Sequence, residues 1–184
     1  MKMEYVELKN VKFCQHNLDL VEELYYNSFP PEERRLWSSV KSLLNCEKSR
    51  YKIEVIQQND RFVGFISSWD FGSFCYIEHF AVEPLMRGAR IGTAAISQFV
   101  EKSQKGVVLE VELPQCGKMA QRRIGFYSRN GFKAHADFEY VQPSYGDGLS
   151  PVPMMLMSAN LNEDEDLSIV AKTILQFVYG VKND

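Results

Sequence analysis

Apolar and polar residues change their period several times along the chain, and each change marks an element. Met3 to Leu8 alternates weakly, which predicts a first strand. Leu18, Val21, Leu24 and Tyr25 fall at helical spacing over Asn17 to Asn27. Phe29-Pro30-Pro31 stops that helix, because proline lacks a donor and drives the residue before it toward extended geometry. Glu32 and Glu33 then predict the first turn of a second helix reaching about Cys46, since carboxylates suit the positive end of a helix dipole. Three strands are expected next: Tyr51 to Gln58, Arg61 to Trp69 and Phe74 to Val82, with Asn59-Asp60 as the first turn. Such short connections make an antiparallel meander.

The helical period then returns, with Ile91, Ala94, Ala95, Phe99 and Val100 on one face. Gly106 reads as the end of this helix and Val107 to Leu113 as the following strand. A helix over about Lys118 to Arg129 closes at Asn130-Gly131, a C-cap signal. Lys133 to Val141 and Val152 to Leu161 are two further strands, joined by a loop with Pro143, Gly146, Gly148 and Pro151. From Glu163 to Val181 a run of acids leads into Leu167, Val170, Ala171, Ile174, Phe177 and Val178 on one face. This amphipathic helix either docks on the sheet or offers a partner surface. The expected fold class is α/β of the α+β type: a mixed, largely antiparallel central sheet of about seven strands, flanking helices and an added C-terminal helix. A plain doubly wound fold is disfavoured.

Composition adds little to this picture but narrows the function. The 184 residues are 45% hydrophobic and 24% charged, enough apolar side chain for a real core. No repeat or linker interrupts them, so residues 1–184 read as a single domain. The formal charge is −3 and the pI about 5.7, which argues against a dedicated nucleic-acid binder. No apolar run approaches the roughly 18–20 residues that span a bilayer, and Met1 to Asn10 lacks a secretory apolar stretch. A cytoplasmic location with no membrane partner is expected. Cys14, Cys46, Cys75 and Cys116 form no CxxC pair or Cys/His ligand cluster, so free thiols and no metal are expected.

The chemistry lies in Tyr76 to Thr93, where a strand runs through a turn of small residues and arginines into a helix. Unpaired N–H groups and partial positive charge at a helix start bind phosphate. Gly88 and Gly92 let a ligand approach the backbone, and Arg87 and Arg90 add charge. A pyrophosphate held near Ile91 is one reading; a tight turn with solvated arginines is the other. Neither GxGxxG nor a P-loop is present.

A second segment, Ala120 to Phe132, follows the next strand. Together the two segments resemble the best-known motifs of the GCN5-related N-acetyltransferases, the GNAT superfamily. The first family motif, Arg/Gln-x-x-Gly-x-Gly/Ala after an apolar strand, is matched by Arg87-x-x-Arg90-x-Gly92 after Phe80-Ala81-Val82. Arg90 replaces its first glycine and puts a side chain in a crowded turn. The second motif is matched by Phe126-Tyr127-Ser128-Arg129-Asn130-Gly131-Phe132. Ala120 stands where the family often has an asparagine, which removes one polar contact to pantetheine. The resemblance covers about residues 51–141.

It implies a GNAT-like fold, acetyl-CoA as cofactor, and transfer of an acetyl group to a primary amine by direct attack. The fourth and fifth strands would splay, with pantetheine against Phe80, Ala81 and Val82. Backbone N–H groups of Arg87, Gly88, Ala89, Arg90, Ile91, Gly92 and Thr93 would cradle the pyrophosphate. An N–H of the strand edge would polarise the thioester carbonyl. Tyr127, near the sulfur, would be the general acid. Glu78 is the leading base, directly or through water. Strand alternation groups it with Tyr76, Phe80 and Val82, and puts His79 opposite with Ile77 and Ala81. Desolvation would raise its pKa; pairing with a nearby arginine is the alternative. His79 is the second candidate, against a satisfied core histidine. Glu110 and Glu112 share a strand face that either holds a cationic acceptor or is simply solvated.

Acceptor binding is expected from those two, from Glu33 in the Phe29–Arg34 connection, and from the loop Gln142 to Pro151. That loop, with Tyr145, is either a lid or a plain hairpin connection. The acceptor class is a small-molecule or peptide amine, without nucleic acid. A homodimer is common in the family, and the C-terminal helix suits either a dimer or the sheet. A non-catalytic acyl-CoA-binding sensor is the alternative function.

Overall fold

Val, Ile and Phe at alternate positions make β2 (Tyr51–Gln58), β3 (Arg61–Asp70) and β4 (Phe74–Val82) the expected meander. Asn59 and Asp60 turn the first hairpin with φ of 51° and 59°, left-handed values these residues tolerate. The computed structural model describes residues 3–8, 15–162 and 164–182, so Cys14 and Glu163 lie outside the described residues. The remaining elements are β1 (Glu4–Glu7), α1 (Gln15–Ser28), α2 (Trp37–Asn45), α3 (Ile91–Ser103) and β5 (Gly106–Glu112). They are followed by α4 (Lys118–Arg129), β6 (Lys133–Ala134), β7 (Tyr140–Gln142), β8 (Val152–Ala159) and α5 (Leu167–Phe177). The sheet has eight strands in the order β1-β2-β3-β4-β5-β8-β6, with β7 also on β8. Among the described strands only β4 and β5 pair in parallel.

This is the mixed, largely antiparallel architecture expected. It has one more strand because Lys133 to Val141 divides into two pieces. Ala134 pairs with Met157 and Tyr140 with Met154, so both pieces share β8.

One face of the sheet carries α1, α2 and α5 over a cluster that includes Tyr25, Trp37, Tyr76, Ala81, Val170 and Ile174. The other carries α3 and α4 over Ile66, Ile77, Ile96, Phe99 and Tyr127. In α5, Val170, Ala171 and Ile174 are buried, so this helix covers the sheet. Asp166 caps it by accepting from the Ser168 N–H at 2.8 Å.

Three local expectations are corrected. The second helix begins at Trp37 and not at Glu32; Pro31–Glu33 is a 3₁₀ turn and Arg34 is extended at φ −144°, ψ 151°. The carbonyls of Glu32 and Glu33 accept from Gln142 Nε2 and pair with His79 Nε2, at 2.9 and 3.0 Å, so they are taken from any continuing helix. Next, α3 ends at Ser103 with left-handed Gln104 as its cap. Gly106 instead opens β5, where a Cβ would lie 2.7 Å from Leu161.

The third correction matters most. Ser67 faces His79 and Ser68 faces Ile77, so Glu78 is an extra residue, a bulge in β4. Alternation breaks there. Phe80 and Val82 pack with Ile77 under α3 and α4, while Ala81 joins Tyr76 on the opposite face. The His79 ring also lies on that opposite face, 4.8 Å from Tyr25 and 4.6 Å from Phe29 between centroids. Pairing of β4 with β5 runs only to Ile77 and Leu109. Beyond the bulge the two strands part.

Candidate active site

A cavity of about 360 Å³ opens where β4 and β5 diverge. Its walls are Ile77, Glu78 and Phe80 to Val82 on one side, and Leu109 and Glu110 on the other. Met119, Arg123, Phe126 and Tyr127 close it from α4, at spacings that share one helix face. Phe29, Glu33, Gln142 and Tyr145 close the opposite end. A shallower depression of about 380 Å³ continues over Arg87, Gly88 and the residues from Arg90 to Thr93. Phe80, Val82, Arg87 and Phe126 line both spaces, which makes one groove from the start of α3 to Glu110.

The start of α3 has no side-chain cap, and its first N–H groups have no acceptor within the helix. Gly88 holds φ of +90°, a value that favours glycine, and a Cβ there would meet nothing within 4 Å. Gly92 faces the Phe126 ring, 3.5 Å from where its Cβ would lie. Arg90 is left-handed at φ 58° and exposed. The expected crowding is therefore not found: the replaced glycine is felt in the backbone, and the side chain projects into solvent. Arg87 donates from Nε to the Val82 carbonyl at 3.1 Å, which ties the turn back to β4.

Tyr127 is 7% exposed and borders the cavity. Phe126 and Phe132 meet its ring edge-on at 5.2 and 5.4 Å. Burial pushes its pKa up to about 12, against the pull of Arg123, so the phenol is a proton donor at neutral pH.

The two inner carboxylates differ sharply. The Glu78 side chain has 0% exposure, and Arg35 Nε donates to its Oε1 at 2.7 Å. Trp69 Nε1 donates to Oε2 at 2.7 Å, and the Tyr145 hydroxyl to Oε1 at 2.9 Å. Burial works to raise its pKa, but Arg35, His79 and these donors outweigh it and hold the carboxyl below its ordinary value. The raised pKa expected from desolvation is thus reversed by the arginine pair. Arg35 is itself fixed, donating from Nη2 to the Val178 carbonyl and stacking over Tyr145 at 4.9 Å.

Glu110 accepts from the Tyr140 hydroxyl at 2.6 Å and from the Tyr179 hydroxyl at 2.8 Å. Burial raises its pKa to about 7, although those two hydroxyls and Tyr76 pull it down; the Glu78 charge adds to the rise. The solvated strand face weighed for Glu110 is not what the structure has. Glu112 turns away to Arg123 Nη1 at 2.6 Å, and it does not border the cavity. Glu33 does border it, 4.0 Å from the same guanidinium, with its pKa raised by burial and by Glu112.

His79 is buried. Ser67 Oγ sits 3.1 Å from its Nδ1 and the Glu33 carbonyl 3.0 Å from its Nε2. Both ring nitrogens are occupied, as in a satisfied core histidine, and burial lowers its pKa. The loop from Gln142 to Pro151 is docked here by Tyr145. Sequence reasoning missed Arg35, Arg123, Tyr140 and Tyr179, whose roles arise only from packing. Among the described residues Cys46, Cys75 and Cys116 are free, no side-chain cluster suits a metal, and no helix is long and apolar enough to cross a membrane.

A family model of the GNAT acetyltransferase domain matches residues 49–134. A protein from Bacteroides thetaiotaomicron assigned to the GNAT acetyltransferase family is 35% identical, with 99% of this chain and 100% of that chain covered at a TM-score of 0.86. The chain belongs to the GNAT family. It is an acetyltransferase of that family, with the fold expected of one. The aminoglycoside 6'-N-acetyltransferase of Enterococcus faecium shares the fold at 15% identity and a TM-score of 0.61, over 90% of this chain and 100% of that one. A Bacillus subtilis acetyltransferase in complex with CoA does so at 14% and 0.57, over 88% and 99%. No curated protein sequence matches the chain.

Proposed function

We propose that this GNAT acetyltransferase moves an acetyl group from acetyl-CoA to a primary amine of a small molecule or peptide, by direct attack of the amine. The observation that carries the proposal is the single groove from the α3 amides, past the free edge of β4, to Tyr127 and Glu110. The donors available fit a CoA thioester. N–H groups at the uncapped start of α3, from Ile91 to Thr93, suit a diphosphate. Main chain from Phe80 to Val82 lies past the last pairing with β5 and suits the amide-bearing pantetheine arm, with the Val82 carbonyl held by Arg87. Bound acetyl-CoA supplies an acyl group activated as a thioester.

The chain's own residues handle the protons. Glu110, rather than Glu78, is our assignment for the base. Its pKa of about 7 leaves it half ionised near neutrality, able to take a proton from the incoming amine. Glu78 is committed to Arg35 and is a poor acceptor. Tyr127 gives its phenolic proton to the departing sulfur. An N–H of the β4 edge polarises the thioester carbonyl. Glu33 and Glu110 line the acceptor end beside Arg123, and their carboxyl oxygens can accept hydrogen bonds from an amine.

The test is release of free thiol from acetyl-CoA across a panel of primary amines. Amine-dependent release, strongly reduced in Glu110→Gln, is expected. CoA binding by calorimetry with no release for any amine would instead favour a cofactor sensor.

A further inference from the structure

The two closest donors to Glu110 come from outside the part of the chain that the family model matches. Tyr140 lies on β7, and Tyr179 stands just past the end of α5. Tyr179 is the hub of the cluster. Its hydroxyl donates to Glu110 Oε2 at 2.8 Å, and lies 3.2 Å from the Tyr145 hydroxyl and 3.3 Å from that of Tyr76. Tyr145 gives its own hydrogen to Glu78, so the two phenol oxygens stand side by side, each donating to a different carboxylate.

The segment that carries this hydroxyl is anchored twice. Val178 is 3% exposed, its N–H donates to the Ile174 carbonyl, and its own carbonyl accepts from Arg35. The groups that face Glu110 come from several elements. β4 contributes Tyr76 and Glu78, β7 Tyr140, the β7–β8 loop Tyr145, and α4 Arg123 and Tyr127 across the cavity. Arg35 stands behind Glu78. On β8, Leu156 is opposite in the ladder and brings no charge. Of the two hydroxyls bonded to Glu110 at under 3 Å, only that of Tyr179 also meets other tyrosines of the cluster.

We propose that Tyr179 is a positioning residue for acetyl transfer, its hydroxyl orienting the Glu110 carboxylate and stabilising the charged form, so that docking of α5 completes the active site. This rests on the assignment of Glu110 as base. The C-terminal helix then does more than cover the sheet. Its end supplies the hydroxyl on Glu110 Oε2, beside Tyr140 on Oε1 and the nearby Tyr76.

The experiment follows the Glu110 carboxyl carbon by NMR through a pH titration of the full chain, its resonance identified by its loss in Glu110→Gln. The pH profile of kcat/KM is measured beside it. A donor to a charged acceptor stabilises the ionised form, so Tyr179→Phe should raise the Glu110 pKa by about one unit. The acidic limb of kcat/KM should move upward with it. Should Tyr179→Phe fail to fold, 3,5-difluorotyrosine at this position is a stronger donor of equal shape and should move both readouts downward. An unmoved titration and limb in folded protein, with Glu110→Gln inactive, would overturn the role of Tyr179 alone. Wild-type activity in Glu110→Gln would overturn the base and its catalytic positioning together.

Discussion

Replacing Arg35 by methionine removes the cation beside Glu78 and keeps much of the packing volume. The Glu78 side chain has 0% exposure and that of Arg35 15%, so removing the cation leaves a buried carboxylate. Removing one partner of a buried pair typically destabilises by about 3–5 kcal/mol. Trp69 and Tyr145 still donate to Glu78, at 2.7 and 2.9 Å, so the lower end, about 3 kcal/mol, is expected. At this chain length that is a fall in Tm of about 6–12 °C. The pH dependence is more diagnostic. Burial pushes the Glu78 pKa up and Arg35, with its other partners, pulls it further down. In the native protein the stabilisation is therefore present above the unfolded pKa and is lost as pH falls through the folded value. In Arg35→Met burial prevails and the folded pKa lies above the unfolded one. Its contribution then reverses, and stability declines as pH rises through that window. Urea unfolding from about pH 4 to 8 reads both effects. Adding Glu78→Gln should recover most of the loss. A loss under about 1 kcal/mol with an unchanged pH slope would show that Glu78 does not depend on Arg35.

Three further outcomes are expected. In the native enzyme kcat/KM should rise with pH through about 7 as Glu110 ionises, and Glu110→Gln should lower it about 10²–10⁴-fold without that limb. Tyr127→Phe should slow acetyl transfer about tenfold or more while CoA affinity by calorimetry is retained; a wild-type rate refutes the acid role. Gly88→Ala should destabilise by about 1 kcal/mol in urea unfolding, purely from its φ of +90°, because the added Cβ meets nothing within 4 Å.

Elements whose boundaries depend on local chemistry were legible before any contact was known. Lys118 to Arg129 is a helix with the limits its period and its Asn130-Gly131 cap predict, and Phe74 to Val82 is the strand expected. The groove at the start of α3 was legible for the same reason, since glycines, arginines and a helix start are neighbours in sequence. What was not legible depends on distant partners. Nothing in Tyr76 to Val82 announces a bulge, because the extra residue exists only relative to Ser67 and Ser68. The donors to Glu110 come from 30 and 69 residues away, so a strand carboxylate read as solvated is in fact half enclosed by phenols. Arg35 was lost for a related reason. Acidic residues after Pro31 look like a helix start, but distant partners hold this backbone: Gln142 and His79 on the Glu32 and Glu33 carbonyls, and the Tyr25 hydroxyl on the Arg35 N–H.

The bulge at Glu78 ties these features to one cause. An unbroken alternation would send Phe80 and Val82 to the face of Tyr76, away from α3. The extra residue sends them instead to the face where Phe126 waits, 6.4 Å from Phe80 between ring centroids, and so builds the apolar side of the groove. It also leaves Glu78 without an opposing residue on β3, at the point where β4 and β5 cease to pair. A carboxylate in that position needs a dedicated cation, and Arg35 supplies it from a segment that has been kept out of helix. Arg35 thereby holds a full negative charge in place within the same cavity as Glu110, and that charge helps to keep Glu110 protonated until pH approaches 7. Two carboxylates of the same side-chain type on neighbouring strands thus acquire opposite proton affinities. The difference lies in their partners: a guanidinium for Glu78, and only neutral phenols for Glu110.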